Sequence, residues 1–465
     1  MKAQFGMIGL GTMGRNLVLN IADHGFAACG YDRNEEQAQR LIAEAGSRPV
    51  TVATSSEDLL NQLQTPKIVM LLVPAGKVVD LIIEELLPNL EKGDILIDGG
   101  NSHYVDTQRR FDILKDSGVH FIGMGVSGGE SGARFGPSMM PGGNKQSYEQ
   151  VKEILEAIAA RYNGEPCVAY MGNGAAGHYI KMVHNGIEYA IMQMISEVYG
   201  LLKKMGLSNE ALHDLFSAWN EGELQSFLVE ITARIFKTKD PETGNDLVDM
   251  ILDRAQQKGT GLWTSQSALE LSVPTPTIDV SVTQRYLSAL KEDRVQLAPL
   301  YQHTYTPDVD LEVLKNDCKN ALHFGCIMAY AQGLSLLAAA SQAHQYAIDI
   351  PTVIKVWRAG CIIRSALLNQ LYEAYEKDAN LKTVIGSDLF VPLLTETRKG
   401  LVNFLKSSMD VGLPAAALAS ALYYFDAYVQ ERLPANLIQA QRDYFGAHTY
   451  ERIDQPGSFH TDWNV

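Results

Sequence analysis

Within the stretch KMVHNGIEY, Lys181, His184, Asn185 and Glu188 carry an amine, an imidazole, an amide and a carboxyl at helical spacing. At about 100° per residue, a helix brings these four side chains within an arc of roughly 100°. Val183, Ile187, Ala190 and Met194 share the opposite side, and Met192, Ile195 and Tyr199 continue the charged face. A solvated helix face is the bland reading of a Lys/Glu pair. A helix apolar on both sides is normally buried, however, and ionisable groups inside it are costly unless they have partners or a job. An amine and a carboxyl at i, i+7 stand two turns apart, about 10 Å along the axis between backbones, a span that their long side chains can narrow around a small molecule.

The elements around that stretch must supply what it lacks. The chain has 465 residues, enough for two to four domains at about 150 residues each, with 46% apolar and 20% charged residues. Its net charge of -15 argues against a nucleic-acid partner, and a small anionic substrate then needs a local basic cluster. Five scattered cysteines, Cys29, Cys167, Cys318, Cys326 and Cys361, form no CxxC or Cys/His metal spacing. They suit a reducing cytoplasm. No signal peptide and no membrane-spanning apolar stretch is expected.

From Gln4 the order is apolar run, Gly9-Leu10-Gly11-Thr12-Met13-Gly14, helical pattern, then AACGYD ending at Asp32. Strand, GxGxxG, helix, strand and acidic residue together predict a dinucleotide site, with the pyrophosphate at the helix N-terminus. Further strands are expected at 68–73, 95–98 and 120–123, with helices at 76–87 and 104–116, giving a mainly parallel sheet. Three ligand loops follow at strand ends: Val73 to Gly76, Asp98 to Ser102, and the glycine-rich run Val126 to Gly143, where Ser127-Gly128-Gly129 suits a carboxylate. Asp32 favours a ribose 2′-hydroxyl and NAD, whereas Arg33 favours a 2′-phosphate and NADP.

After Met171 to Gly177 helical patterns dominate to about residue 432. Lys181 and Lys319, Trp219 and Trp357, and Gly222 and Gly360 each lie 138 residues apart, a faint duplication. At that offset the second copy has Cys326 for Glu188 and His323 for Asn185. Lys258, Thr260 and Arg285 together offer a phosphate-sized basic pocket. The tail from Pro434 carries Tyr444, Phe445, Tyr450, Phe459 and Trp463, too many aromatics for a solvated segment. It is expected to cover another surface, quite naturally a second subunit, taking Arg442 and His448 with it.

IGLGTMGRNL, SGGESGARFGPSMMPGG and a lysine followed four residues later by asparagine resemble the β-hydroxyacid dehydrogenase superfamily. DGGNS, KMVHNGIEY, KGTGLWT and RDYFGAHTYER, in this order, resemble its 6-phosphogluconate dehydrogenase family over essentially the whole chain. The resemblance implies an α/β Rossmann-like N-terminal domain (1–176), a large, internally duplicated all-α substrate and dimerisation domain (177–433) and an extended C-terminal tail (434–465). It implies oxidative decarboxylation of 6-phospho-D-gluconate to D-ribulose 5-phosphate and CO₂ in the pentose phosphate pathway and gluconate utilization, without metal, with Lys181 and Glu188 catalytic. By the same resemblance Asn101, Ser127, Gly128, Gly129, His184 and Asn185 hold the carboxylate and hydroxyls. Tyr189, Lys258, Thr260 and Arg285 hold the phosphate, joined by Arg442 and His448 from the neighbour in a homodimer. Gly9, Gly11, Met13, Gly14, Asp32, Arg33, Val73, Ala75 and Asn101 face the cofactor.

NADP is the family default, yet NADP-using members read Asn-Arg-Thr or Asn-Arg-Ser where this chain has Asp32-Arg33-Asn34, and lysine where it has Pro74. A carboxylate beside a 2′-phosphate is repulsive and one cation is missing, so the lean is to dual or NAD use. The competing functions are a non-decarboxylating dehydrogenase of another 3-hydroxyacid and a catalytically silent nucleotide-binding regulatory protein. Intact Lys181 and Glu188 weigh against the silent protein.

Overall fold

The computed structural model describes residues 2–301, 309–378 and 381–463. Beside a two-stranded ribbon, Arg161–Tyr162 with Glu165–Pro166, its first part holds seven longer strands: β1 (Phe5–Ile8), β2 (Ala28–Tyr31), β3 (Val50–Val52), β4 (Ile68–Leu71), β5 (Ile95–Asp98), β6 (His120–Ser127) and β7 (Ser138–Gly143). They form one sheet in the order β3-β2-β1-β4-β5-β6-β7. β1, β4 and β5 are buried along their whole length, as short apolar runs must be in a parallel sheet covered on both faces. Alternation splits β1 between two cores, Phe5 and Met7 joining one cluster and Ile8 the other. All neighbours from β3 to β6 pair parallel. The strand order reverses between β1 and β4, which opens a crevice at their carboxyl ends.

The glycine-rich run at 126–143, expected to be a ligand loop throughout, is mostly regular structure. Val126 and Ser127 end β6, Gly129–Phe135 is a helix, and Ser138–Gly143 is β7, antiparallel to β6. Met139 and Met140 are fully buried there, and Pro141 is tolerated because β7 is an edge strand. β3 also escaped the sequence reading, β4 stops at Leu71 rather than at residue 73, and β6 runs four residues past Gly123.

The second part is helical, and its order repeats. Ala176–Lys204, Asn209–Trp219, Phe227–Lys237, Thr260–Glu270 and Pro276–Ala289 are followed by Leu311–Ala343, Ile350–Trp357, Leu367–Lys377, Phe390–Asp410 and Ala416–Tyr428. The two long helices pack on each other inside one apolar core. Leu311–Ala343 is, against expectation, long and apolar enough by composition to cross a membrane, but 72% of that window is buried inside the protein. It is a core helix containing the buried polar residues Asp317, His323 and Gln332. Its Lys319 pairs with Glu223 at 2.7 Å, so the second copy spends its equivalent of Lys181 on an ion pair.

The helix Ala176–Lys204 starts where the sheet ends and packs on β6 and β7. Gly177 permits this: a methyl added there would overlap the carbonyl oxygens of Gly123 and Met140 and the amide of Gly142, all backbone atoms that cannot swing aside. Gly177→Ala is therefore expected to push the helix off the sheet, at a cost of about 1–3 kcal/mol. Thermal unfolding should register a drop of roughly 2–10 °C; an unchanged midpoint contradicts this packing. One expectation fails on this helix: Met192, placed on its buried face by the helical wheel, is 42% exposed.

Candidate active site

Lys181, His184, Asn185 and Glu188 share one face of the helix Ala176–Lys204, near the carboxyl end of β6. Lys181 is buried and its Nζ donates to Asn185 Oδ1 at 2.9 Å, with His184 Nδ1 3.5 Å away. His184 Nδ1 lies 3.0 Å from Asn185 Oδ1, and its Nε2 lies 3.3 Å from Ser127 Oγ. With Nδ1 protonated and donating to the amide oxygen, Nε2 accepts from the Ser127 hydroxyl. Asn185 Nδ2 in turn donates to Thr260 Oγ1 at 3.2 Å. The amide thus ties the lysine to the first turn of the helix Thr260–Glu270.

Burial sets the proton affinities. It pushes the Lys181 ammonium below the ordinary lysine range, against the attraction of Glu188. It holds His184 well below its usual value, helped by the charge of Lys181, so this imidazole is neutral near pH 7. It raises the Glu188 carboxyl, opposed by Lys181 and Arg285. Glu188 Oε2 lies 3.9 Å from His184 Nδ1. The shifts move both end groups toward the neutral amine and neutral acid that proton transfer requires.

Beyond Glu188 the same helix presents Tyr189. The Arg285 guanidinium stacks over its ring at 3.5 Å and donates to Gln256 O at 3.0 Å. Lys258 is exposed on the loop that follows Gln256, and Thr260 is buried at the loop's end. These four expected phosphate ligands therefore converge at one end of the row of polar groups. Gly128 and Gly129 both take positive φ, 126° and 62°, in the tight turn after Ser127. Gly128 lies against the Gly360 carbonyl, so the second helical copy closes this side. Sequence reasoning saw Trp357 only as half of a repeat. Its ring stands edge-on to His184 at 5.7 Å and donates from Nε1 to Met140 Sδ at 3.4 Å.

On the sheet side, Asn101 is exposed on the Asp98 to Ser102 loop. That loop is fixed by an arginine the sequence did not single out. Arg110, 2% exposed, donates to Asp98 Oδ2 (3.3 Å), Ser102 Oγ (3.4 Å), Asp80 Oδ1 (2.7 Å) and Gly76 O (2.9 Å). One planar fork so joins the two loops that follow β4 and β5. His178, one turn before Lys181, meets Thr107 Oγ1 at 2.7 Å and ties the helix start to the same region.

The dinucleotide crevice is a cleft of about 390 Å³ between the ends of β1 and β4, lined by Gly9, Gly11, Asp32, Arg33, Asn34, Gln37, Ser56, Val73, Pro74 and Glu85 among others. Gly9 has φ +97°, and a methyl on Gly14 would collide with the Gly9 carbonyl, so the turn accepts only glycine at these points. These residues fit a dinucleotide. Asp32 Oδ2 accepts from Leu10 N at 2.7 Å and Oδ1 from Asn34 N at 2.9 Å. Arg33 is 70% exposed and paired with Glu85 Oε2 at 2.9 Å. Met13, Gly14 and Ala75 flank the cleft without lining it.

Arg442 and His448 are exposed on the tail, where Arg442 Nη1 donates to Gln439 Oε1 at 3.3 Å and the His448 ring stands edge-on to Phe445 at 5.9 Å. The helix Ala435–Gly446 buries only Asp443, leaving Leu437 at 62%, Ile438 at 61%, Tyr444 at 60% and Phe445 at 72% exposure. Asp443 organises the tail beyond it, accepting from Thr449 N, Thr461 N and Trp463 Nε1 and meeting His460 Nδ1 at 2.9 Å.

Residues 4–172 match the family described as the NAD binding domain of 6-phosphogluconate dehydrogenase, and residues 177–463 its C-terminal domain. A Bacillus subtilis protein named 6-phosphogluconate dehydrogenase, NADP(+)-dependent, decarboxylating, is 49% identical over 99% of both chains. The Saccharomyces cerevisiae 6-phosphogluconate dehydrogenase, decarboxylating 1, is 44% identical over 98% of this chain and 94% of its own. Among solved structures, Plasmodium falciparum 6-phosphogluconate dehydrogenase superposes with a TM-score of 0.96 at 42% identity, covering 99% of this chain and all of that one. With a dinucleotide cleft in its first part, a buried lysine two turns from a glutamate in its second, and a fold matched from end to end, this chain belongs to the 6-phosphogluconate dehydrogenase family.

Proposed function

We propose that the protein oxidatively decarboxylates 6-phospho-D-gluconate to D-ribulose 5-phosphate and CO₂, reducing a nicotinamide dinucleotide, in the pentose phosphate pathway. The observation that carries this reading is the buried Lys181, bonded to Asn185 and set two helical turns from Glu188. The bound nicotinamide supplies the hydride acceptor. Lys181, entering neutral, takes the proton of the C3 hydroxyl as the C3 hydride departs. The product is a β-keto acid, so the C1–C2 bond breaks with its electrons delocalised into the C3 ketone, and CO₂ leaves. The Lys181 ammonium now returns its proton to the oxygen on C3, stabilising the enolate as it forms. Glu188, its carboxyl pushed toward the neutral acid by burial, protonates C2 while Lys181 takes back the proton from the oxygen on C3, which becomes the C2 ketone of ribulose 5-phosphate.

Asn101, Ser127, Gly128, Gly129, His184 and Asn185 hold the carboxylate and hydroxyls, and Tyr189, Lys258, Thr260 and Arg285 the phosphate. In a homodimer, the exposed tail of one subunit covers the other and brings Arg442 and His448 to the second phosphate site. Support comes from the apolar face of Ala435–Gly446, which its own chain leaves bare.

The cofactor is NAD, or NAD and NADP alike. Asp32 stands at the end of β2, where a ribose 2′-substituent is read, and Pro74 offers no charge. Absorbance at the reduced-nicotinamide band with 6-phosphogluconate and each cofactor in turn tests both parts. Turnover is expected with 6-phosphogluconate, with kcat/KM for NAD at least comparable to that for NADP. No turnover with either overturns the activity, and a hundredfold preference for NADP overturns the cofactor assignment.

A further inference from the structure

The adenosine end of the cleft contains a residue that neither the GxGxxG pattern nor the residue after β2 accounts for. Glu85 lies near the end of the helix Lys77–Leu86, 53 residues beyond Asp32, yet borders the same cleft. Both of its carboxylate oxygens are engaged: Oε2 accepts from Arg33 Nη2 at 2.9 Å, and Oε1 accepts from Ser56 Oγ at 2.5 Å. Arg33 is the only basic residue lining the cleft among the described residues, facing the two acids Asp32 and Glu85. The local formal charge is therefore negative where a 2′-phosphate would need it positive.

We propose that Glu85 is a specificity-determining residue: it occupies Arg33 and adds a second carboxylate beside Asp32, so that a ribose with a free 2′-hydroxyl is accepted and a 2′-phosphate is opposed. This rests on the reading of the cleft as the cofactor site and sharpens its NAD assignment. The Arg33–Glu85 pair is largely exposed, with 70% and 38% of the side chains accessible, and such pairs contribute little stability. An arriving phosphate could pull Arg33 away at small cost. Glu85 would remain, because its other oxygen is held by Ser56, itself buried at the start of the helix Ser56–Gln62. The phosphate would then meet two fixed carboxylates with one mobile cation between them. A 2′-hydroxyl meets no such penalty, since it can donate to either acid.

The test is the ratio of kcat/KM for NADP to that for NAD, measured with 6-phosphogluconate on the full-length enzyme and on Glu85→Gln. Removing one like charge and releasing Arg33 should raise the ratio about tenfold. Adding Arg33→Ala to Glu85→Gln should remove the part of that gain that the freed cation supplies. Binding of 2′,5′-ADP relative to 5′-AMP, followed by calorimetry without turnover, should shift in the same sense. An unchanged ratio in Glu85→Gln overturns the proposal, as does a gain that Arg33→Ala leaves undiminished. A folding defect lowers both cofactors together and leaves the ratio alone. The wild-type ratio by itself judges the NAD assignment, whereas the change on substitution judges Glu85.

Discussion

Lys181→Met is expected to lower kcat at least about a thousandfold while dinucleotide binding survives. Loss of a positioned general base is worth about 10²–10⁴ in rate, and the same substitution removes the ammonium that stabilises the enolate. Methionine suits the space, because the lysine stem is buried against Gly125 of β6. The cofactor cleft lies elsewhere, between the ends of β1 and β4, so cofactor titration should be unaltered. Lys181→Arg should fail as completely, since a guanidinium stays protonated near neutrality. Full turnover in Lys181→Met removes the base from the mechanism. In the wild type, burial lowers the Lys181 pKa and raises that of Glu188. The rate should accordingly fall on the acid side as the amine is protonated, and on the alkaline side as the carboxyl ionises. The acid limb should vanish from the residual activity of Lys181→Met.

Glu188→Gln is the second large effect, with kcat expected to fall by about 10²–10⁴. Glutamine keeps the shape and hydrogen-bonding reach but has no proton to deliver to C2. In deuterium oxide the wild type should place one deuterium stereospecifically at C1 of ribulose 5-phosphate, as a single acid delivers it to one face. The variant should release product whose label is scrambled by protonation from water. Hydride transfer precedes this step, so a single turnover should still yield reduced nicotinamide in Glu188→Gln. Wild-type steady-state rate and unaltered stereochemistry together would take Glu188 out of its role.

What could be read without coordinates was local. Helical periodicity alone put Lys181, His184, Asn185 and Glu188 on one face, and the GxGxxG turn is a sequence-adjacent device whose collision of Gly14 with the Gly9 carbonyl spans five residues. What escaped depends on residues far apart in the chain. β7 was hidden because glycine and proline signal turns, and only its pairing with β6 makes SMMPGG a strand. Arg110 joins loops from two strand ends, and Glu85 reaches Arg33 across 52 positions; neither leaves a spacing to detect. Trp357 carried a repeat signal, but its place against His184 follows from how the two helical copies cross. The tail's aromatics announced a surface to cover; among the described residues Tyr450, Phe459 and Trp463 pack partly on one another, while Tyr444 and Phe445 stay 60% and 72% exposed. Composition therefore spoke for the tail's need without naming its partner.

The central claim is that one buried site couples oxidation at C3 to loss of C1. Its most direct test is to follow CO₂ release and reduced-nicotinamide absorbance together with 6-phosphogluconate as substrate, in the wild type and in Lys181→Met. The mechanism predicts one CO₂ for each reduced nicotinamide in the wild type and neither product from the variant. Reduced nicotinamide accumulating without CO₂ in the wild type, or CO₂ released at the wild-type rate by Lys181→Met, would contradict it.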